Sequence, residues 1–248
     1  MWRNLVNNWI LPFVDPRRIV SLIRLPGFFA SWIRYCWMAG GDNARFADLW
    51  PCLMDRVKQT PFDPHYFYQA SWMARNLAKT KPPLHVDVGS DIKMVAVLSA
   101  YAPLVFVDYR PLHVHQTGLT PIAGDITRLP FSDGSISSLS CLHVIEHIGL
   151  GRYGDTIAPS AHFVGLRELE RVLARSGRLY LSTPIGRDRV CFNAHRIFAT
   201  QTILNALPSL KFINFSLVDD QGHFADGCEL SRAANLSYGC GMFVMIKK

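Results

Sequence analysis

The distribution of apolar and polar positions changes near residue 84. Upstream, apolar residues recur at helical spacing. Asp15-Pro16 reads as a helix start, with the carboxylate as cap and proline in the first turn, and Gly40-Gly41 ends the helical region that follows. Asp63-Pro64 repeats the start signal; Tyr66, Ala70, Met73, Ala74 and Leu77 then share one helical face, and Pro82-Pro83 stops that helix. Downstream, short apolar runs alternate with helical patterns. Strands are predicted at 84–88, 104–107, 121–123, 136–142 and 178–182, with helices at 92–101 and from the Ser160 cap to Ala174, where Gly177 reads as the stop. A helical segment over about 196–206 precedes two last apolar runs, 211–218 and 241–246, which read as an antiparallel pair.

Such alternation predicts an α/β fold with a Rossmann-like sheet of seven strands, mostly parallel and closed by an antiparallel C-terminal strand. The expected division is a helical N-terminal extension or lid over 1–83 and a sheet domain over 84–248.

Composition narrows the class. Apolar residues make up 49% and charged residues 18%, which suits a packed chain and excludes a disordered one. The net charge of +7 comes mainly from arginine, so an acidic partner and a bland preference for arginine both fit. The arginines are spread along the chain without a basic run, so no nucleic-acid partner is expected. The six cysteines form no Cys-x-x-Cys pair, which points to a reduced, cytoplasmic setting. The most apolar stretch, 19–38, is interrupted by Arg24, Pro26 and Arg34, so no spanning helix is expected, and the N-terminus lacks the order of a secretory signal. Trp9, Trp32 and Trp37 interleave with Arg17, Arg18, Arg24 and Arg34. That pattern suits either peripheral contact with the inner face of an anionic membrane or a helical cover over the sheet domain. The oligomeric state is not readable.

In an open parallel sheet, ligands gather at the carboxyl ends of the strands. Those ends carry Asp87, Gly89, Ser90 and Asp91, then Asp108, then Gly124, Asp125 and Ile126, then His143, Glu146 and His147. Asp108 follows Asp87 by 21 residues, the spacing of a glycine turn and an acidic residue that grips ribose hydroxyls. Asp125 sits where an adenine amino group can donate. Residues 87, 108 and 125 are therefore expected to converge on one sheet edge around a nucleoside.

The segments VDVGSD, FVDYRP, GDITRLPFSDGSISSLSCLHVIEHI and ELERVLARSGRLYLSTP resemble, in order and spacing, the motifs of class I S-adenosylmethionine-dependent methyltransferases over about 84–183. The nearest resemblance is to an uncharacterised methyltransferase-like group, which FDPHYFYQASW and FNAHRIF also resemble. The resemblance implies S-adenosyl-L-methionine as cofactor, with Asp87 and Gly89 in the methionine-side loop, Asp108 at the ribose, and Asp125 and Ile126 framing the adenine. It also implies transfer to oxygen of a small-molecule or glycan acceptor. One departure stands out: the usual loop has three alternating glycines, and here Gly89 is followed by Asp91 and Lys93. Asp91 then either contacts the cofactor's amino group or marks a loop that has lost its ligand.

His143, Glu146 and His147 admit three readings. His-x-x-Glu-His is an inverted zinc-protease pattern, but that pattern belongs on a helix and this one follows a strand. Some methyltransferases of the superfamily hold a divalent ion with a related pattern and a distant histidine, for which His195 would serve. The favoured reading lines an acceptor pocket with these residues and uses a histidine (His147, His143 or His195) as general base, with no metal. The remaining alternatives are a methyltransferase-like binding protein without turnover and a metal-dependent enzyme. Tyr66, Phe67, Tyr68 and Trp72 either pack as core or cover the site, and Arg187, Asp188 and Arg189 either bind an acidic acceptor or solvate a loop.

Overall fold

The computed structural model describes residues 16–38, 44–110 and 112–248, and divides them between two compact units, Met1–Pro61 and Phe62–Lys248. Asp15, Trp9, Gly40 and Gly41 lie outside the described residues, as do the side chains of Arg17 and Arg18.

The first unit holds α1 (Pro16–Ser21) and α2 (Leu25–Met38). No side chain of α2 is buried, and Trp37 is 88% exposed. The Trp32 indole N–H donates to the carbonyl of Ala44 at 2.7 Å, and Arg24 donates to Leu53 O at 2.8 Å, so polar contacts close this unit. Among the described residues, no helix is long and apolar enough to cross a membrane.

The second unit begins with α3 (Pro64–Thr80). Asp63 Oδ1 accepts from the backbone N–H groups of His65 and Tyr66, which fixes where the helix starts. Trp72, Met73 and Leu77 on α3 are buried among Phe106, Tyr180 and Met242 of the sheet. The boundary between units therefore falls at 61/62 and not at 83/84: a helix whose apolar stripe completes the core of a sheet belongs to that sheet's domain.

The remaining elements are β1 (His85–Val88), α4 (Ile92–Leu98), β2 (Leu104–Asp108), β3 (Leu119–Ala123), β4 (Ile136–Leu142), α5 (Ala161–Val172), β5 (Leu173–Ile185), β6 (Arg189–Cys191), β7 (His195–Ile197), α6 (Thr200–Ala206), β8 (Leu210–Val218), β9 (Phe224–Ala225) and β10 (Gly239–Lys247). The main sheet runs in the order β3-β2-β1-β4-β5-β10-β8-β9. Strands β1 to β5 pair in parallel; β10 inserts antiparallel between β5 and β8. The seven expected strands are present, and two-residue β9 adds an eighth at the edge. Strand order reverses beside β1, where β2 lies on one side and β4 on the other, and this is the point at which an open sheet leaves a crevice.

Both faces of the sheet are covered. Val86, Val88, Leu139, Cys141, Leu179 and Leu181 meet α5 and α6 on one face, and α3 and α4 cover the other. The period-two alternation of β1 turns His85 and Asp87 away from the first face, and both are fully buried. They are tolerated because β4 supplies hydroxyls: His85 Nδ1 lies 2.8 Å from Ser138 Oγ and its Nε2 lies 2.8 Å from Ser140 Oγ.

Three local expectations are corrected. Ser160 stands at the start of α5, but its side chain makes no cap; its carbonyl accepts from Phe163 N instead. α5 ends at Val172, and 173–177 is already strand, with a register shift against β4 and Ser176 at φ +60°. Gly177 is demanded by that bulge and does not stop a helix, since a Cβ there would stand 2.8 Å from Ala174 O and 2.9 Å from Ile136 O. Residues 189–197 form the separate β6–β7 hairpin, where no strand was expected.

Candidate active site

The turn after β1 is built on Asp87. Its Oδ1 accepts from Ser90 N at 3.1 Å, and its Oδ2 accepts from Ser90 Oγ at 2.8 Å and from Ser140 Oγ. Ser90 Oγ in turn accepts from Leu142 N at 3.1 Å. Burial pushes the Asp87 carboxyl up to about 6, although the donors from Ser140 and Ser90 oppose this. Asp91 spends its Oδ1 on Lys93 N and Met94 N, capping α4. Asp87, Ser90 and Asp91 thus shape the turn and do not line the cavity beyond it; the expected convergence of 87 with 108 and 125 on one cavity is corrected, because the fully buried Asp87 carboxylate is taken up by Ser90 and Ser140. Gly89 does reach the cavity, at φ +69° and with a Cβ position only 3.1 Å from Val144 Cγ1.

That cavity, of about 310 Å³, opens at the carboxyl ends of β1, β2 and β3 and is lined by Gly89, Asp108, Arg110, Asp125, Ile126 and Tyr153, among others. Asp108 Oδ1 accepts from Arg110 N at 2.7 Å, and Asp125 Oδ1 accepts from Thr127 N and Thr127 Oγ1 at 2.8 Å each. Among the described residues, no hydrogen bond engages Oδ2 of either. Val88, Val107, Val144 and Ile148 supply apolar walls. The Arg110 guanidinium lies 4.6 Å from the centre of the Tyr153 ring, and the loop bearing Tyr153 is tied down by Asp155, whose Oδ2 accepts from Gly149 N at 2.8 Å.

A second cavity, more polar and of about 550 Å³, adjoins the first and shares His143, His147 and Tyr153 with it. All four expected catalytic residues, His143, Glu146, His147 and His195, line it. His143 adopts φ +56°. Its Nδ1 stands 2.8 Å from Glu146 Oε1, and its Nε2 stands 3.2 Å from Cys240 Sγ. The first contact has ion-pair distance without hydrogen-bond geometry, so Oε1 of the buried Glu146 lacks a hydrogen bond. Burial alone would lower the His143 imidazole, but Cys240 and Glu146 outweigh it and hold the ring above the ordinary histidine range.

His147 Nδ1 lies 2.7 Å from the carbonyl of Ala194, which only accepts, and 3.3 Å from Arg152 Nη1, which only donates; the shorter contact favours the proton on Nδ1, which leaves the neutral ring a lone pair on Nε2. Arg152 donates to the same carbonyl at 2.8 Å. Burial lowers His147 despite the nearby Glu146, and burial likewise lowers His195, whose ring lies 5.1 Å from that of Tyr238.

Sequence reasoning missed His65, Tyr238, Arg152, Tyr153, Arg196 and Cys240. His65 and Tyr66 sit at the capped start of α3 and line the second cavity. The aromatic group divides: Trp72 is core, Tyr68 stacks on Phe224 at 4.9 Å, and Tyr66 faces the site. Arg196, beside His195 in FNAHRIF, is buried and donates to Ile148 O at 2.6 Å and Pro159 O at 3.2 Å, clamping the loop between the cavities. Asp188 accepts from Ala199 N and Thr202 Oγ1 at 2.8 Å each, a role at the start of α6.

Strand order, register and a crevice at the strand ends define a class I methyltransferase fold. The chain is similar to the N-methyltransferase NodS of Bradyrhizobium japonicum WM9, solved with S-adenosyl-L-homocysteine, at 12% identity over 75% of this chain and 88% of that one, with a TM-score of 0.52. It is also similar to the YcgJ protein of Bacillus subtilis, at 16% identity over 73% of this chain and 99% of that one, with a TM-score of 0.51. Identities this low speak for the fold alone. A family model described as "Caenorhabditis protein of unknown function, DUF268" matches residues 133–221, from just before β4 to just after β8. No curated protein matches the chain in sequence.

Proposed function

We propose that this chain is an S-adenosyl-L-methionine-dependent methyltransferase acting on a hydroxyl of a small molecule or glycan. One observation carries the reading: a cavity with two carboxylates and apolar walls at the strand ends meets a histidine-lined cavity at His143, His147 and Tyr153.

The first cavity fits the cofactor's chemistry. Asp108 and Asp125 each keep an acceptor oxygen for hydroxyl or amino donors, and Gly89 and Gly124 keep the backbone bare where a Cβ would crowd Val144 or stand 2.5 Å from Val107. When bound, S-adenosyl-L-methionine supplies an electrophilic methyl group. The protein's own part is then positional and proton-handling. The shared wall aligns an acceptor, which is worth most of the rate in a displacement of this kind. His147 Nε2, kept neutral by burial, takes the hydroxyl proton.

The second cavity favours a neutral, hydroxyl-rich acceptor. Asp63, Glu146, Asp219 and Asp220 line it against the single guanidinium of Arg152, so an anionic acceptor is disfavoured, while Tyr66 and Tyr238 offer faces for a sugar ring. Calorimetry of the full chain with S-adenosyl-L-methionine and S-adenosyl-L-homocysteine tests the reading. Stoichiometric binding is expected; absence of heat at millimolar ligand would sink it.

A further inference from the structure

We infer that His65, His143 and Cys240 form a zinc site at the floor of the second cavity, with Glu146 as its outer carboxylate. The three residues come from α3, the loop after β4, and β10, and their ligand atoms lie within 4.8 Å of one another. The tightest pair, His143 Nε2 and Cys240 Sγ at 3.2 Å, already stands near the separation of two ligands on one tetrahedral zinc, which bonds nitrogen at about 2.0 Å and sulfur at about 2.3 Å.

The surroundings match such a site. A histidine that binds metal through one nitrogen usually offers the other to a carboxylate. His143 Nδ1 faces Glu146 Oε1 at 2.8 Å. Glu146 is 1% exposed, and its Oε1 makes no hydrogen bond and faces the His143 ring at 2.8 Å. When His143 gives its Nε2 lone pair to a divalent cation, Nδ1–H remains to serve this carboxylate. Cys240 is fully buried and unoxidised, and binding would release its thiol proton to solvent. Two imidazoles and a thiolate select zinc over magnesium or calcium. His65 lines the second cavity, so the fourth position opens toward it, where water or an acceptor hydroxyl would bind. The site differs from a His-x-x-Glu-His arrangement, because the ligand atoms that gather within 4.8 Å are those of His65, His143 and Cys240, and His147 is not among them.

The metal set stands without methyl transfer; only the role of the fourth position rests on the proposed function. The test uses the full chain, stripped by a chelator and titrated with zinc and, in parallel, with cobalt(II). One ion per chain is expected, and the cobalt form should show a near-ultraviolet thiolate charge-transfer band with visible bands of tetrahedral strength. Cys240→Ser should abolish the thiolate band and weaken zinc binding by at least about 100-fold. His65→Ala, at a half-exposed first turn, and Glu146→Gln should each weaken it by about 10- to 100-fold, and His147→Ala should leave stoichiometry unchanged. A chain that takes up no ion, a cobalt form without the thiolate band, or zinc lost from His147→Ala and kept by His65→Ala would overturn the site. Calorimetry with S-adenosyl-L-homocysteine on the same stripped preparation separates that failure from failure of the methyltransferase reading.

Discussion

The hydroxyl of Ser140 on β4 donates to the carboxylate of Asp87 on β1, across a parallel pair whose register places the two residues side by side. The same hydroxyl oxygen lies 2.8 Å from His85 Nε2, so one serine serves two buried titratable groups. Burial raises Asp87 to about 6 and lowers His85 to about 3. The two act oppositely on stability. Between about pH 4 and 6 the folded Asp87 holds a proton that the unfolded chain releases, so its contribution falls as pH rises. Between about pH 3 and 6.5 the unfolded His85 holds a proton that the fold excludes, so its contribution rises. Ser140→Ala removes a donor to the ionised carboxylate and, at either pH, the oxygen facing His85 Nε2. We expect a loss of about 1–3 kcal/mol at pH 7.5 and a smaller loss at pH 4.5, measured by urea unfolding. Equal losses at both pH values would contradict the assignment.

Asp108 uses one oxygen to shape its turn and keeps the other toward the cavity. Asp108→Ala should weaken S-adenosyl-L-homocysteine binding by about 10- to 100-fold, the worth of one hydrogen bond to a charged group. Because Asp108 lies at the cavity and not in the core, its melting temperature should stay within a few degrees of the parent chain. Asp87→Asn should show the reverse weighting, with lost stability ahead of lost affinity. Calorimetry and thermal unfolding of both variants read the contrast.

His147 is held below the ordinary histidine range by burial, with the Arg152 charge adding to the effect. In the proposed role of base it would work when neutral, so kcat/KM should climb with pH along a limb lying below about 6.5 and then level off. His147→Gln should lower kcat by about 100- to 10,000-fold and erase the limb. Arg152→Gln should move the limb to higher pH, and a limb that stays put in that variant would argue against His147.

Arg196 satisfies carbonyls of Ile148 and Pro159 from a buried position. Arg196→Met leaves those carbonyls without a partner and should cost about 2–4 kcal/mol. Arg196→Lys should rescue little, since a single ammonium cannot span the two directions that the planar fork covers. Chemical denaturation gives the ordering, and a lysine variant as stable as the parent would refute it.

Much of the sheet was legible because its parallel strands are buried on both faces and read as short apolar runs between helical stretches. Four of the residues that line the second cavity were singled out in the sequence: His143, Glu146 and His147 because they follow the end of β4, and His195 only as a distant partner in a loop. Asp87 was misread for a reason visible in HVDV: the alternation that buries Val86 and Val88 on one face carries His85 and Asp87 to the other, and Ser138 and Ser140 on β4 wait there in matching phase. The pairing of His65 and His143 with Cys240 was beyond any local pattern, because it depends on β10 inserting beside β5. Gly177 misled because a bulge and a helix end ask the same thing of a backbone. The β6–β7 hairpin is too short and too polar to declare a period.

That hairpin touches the main sheet through the bridge of Phe198, just past β7, to Ile185 at the end of β5, and it brings His195 to one wall and Arg196 to the clamp behind it. Grafting a different nine-residue insert between β5 and α6, with the arginine retained, would redraw the entrance seen by an incoming molecule while the wall bearing Asp108 and Asp125 across the crevice keeps its shape.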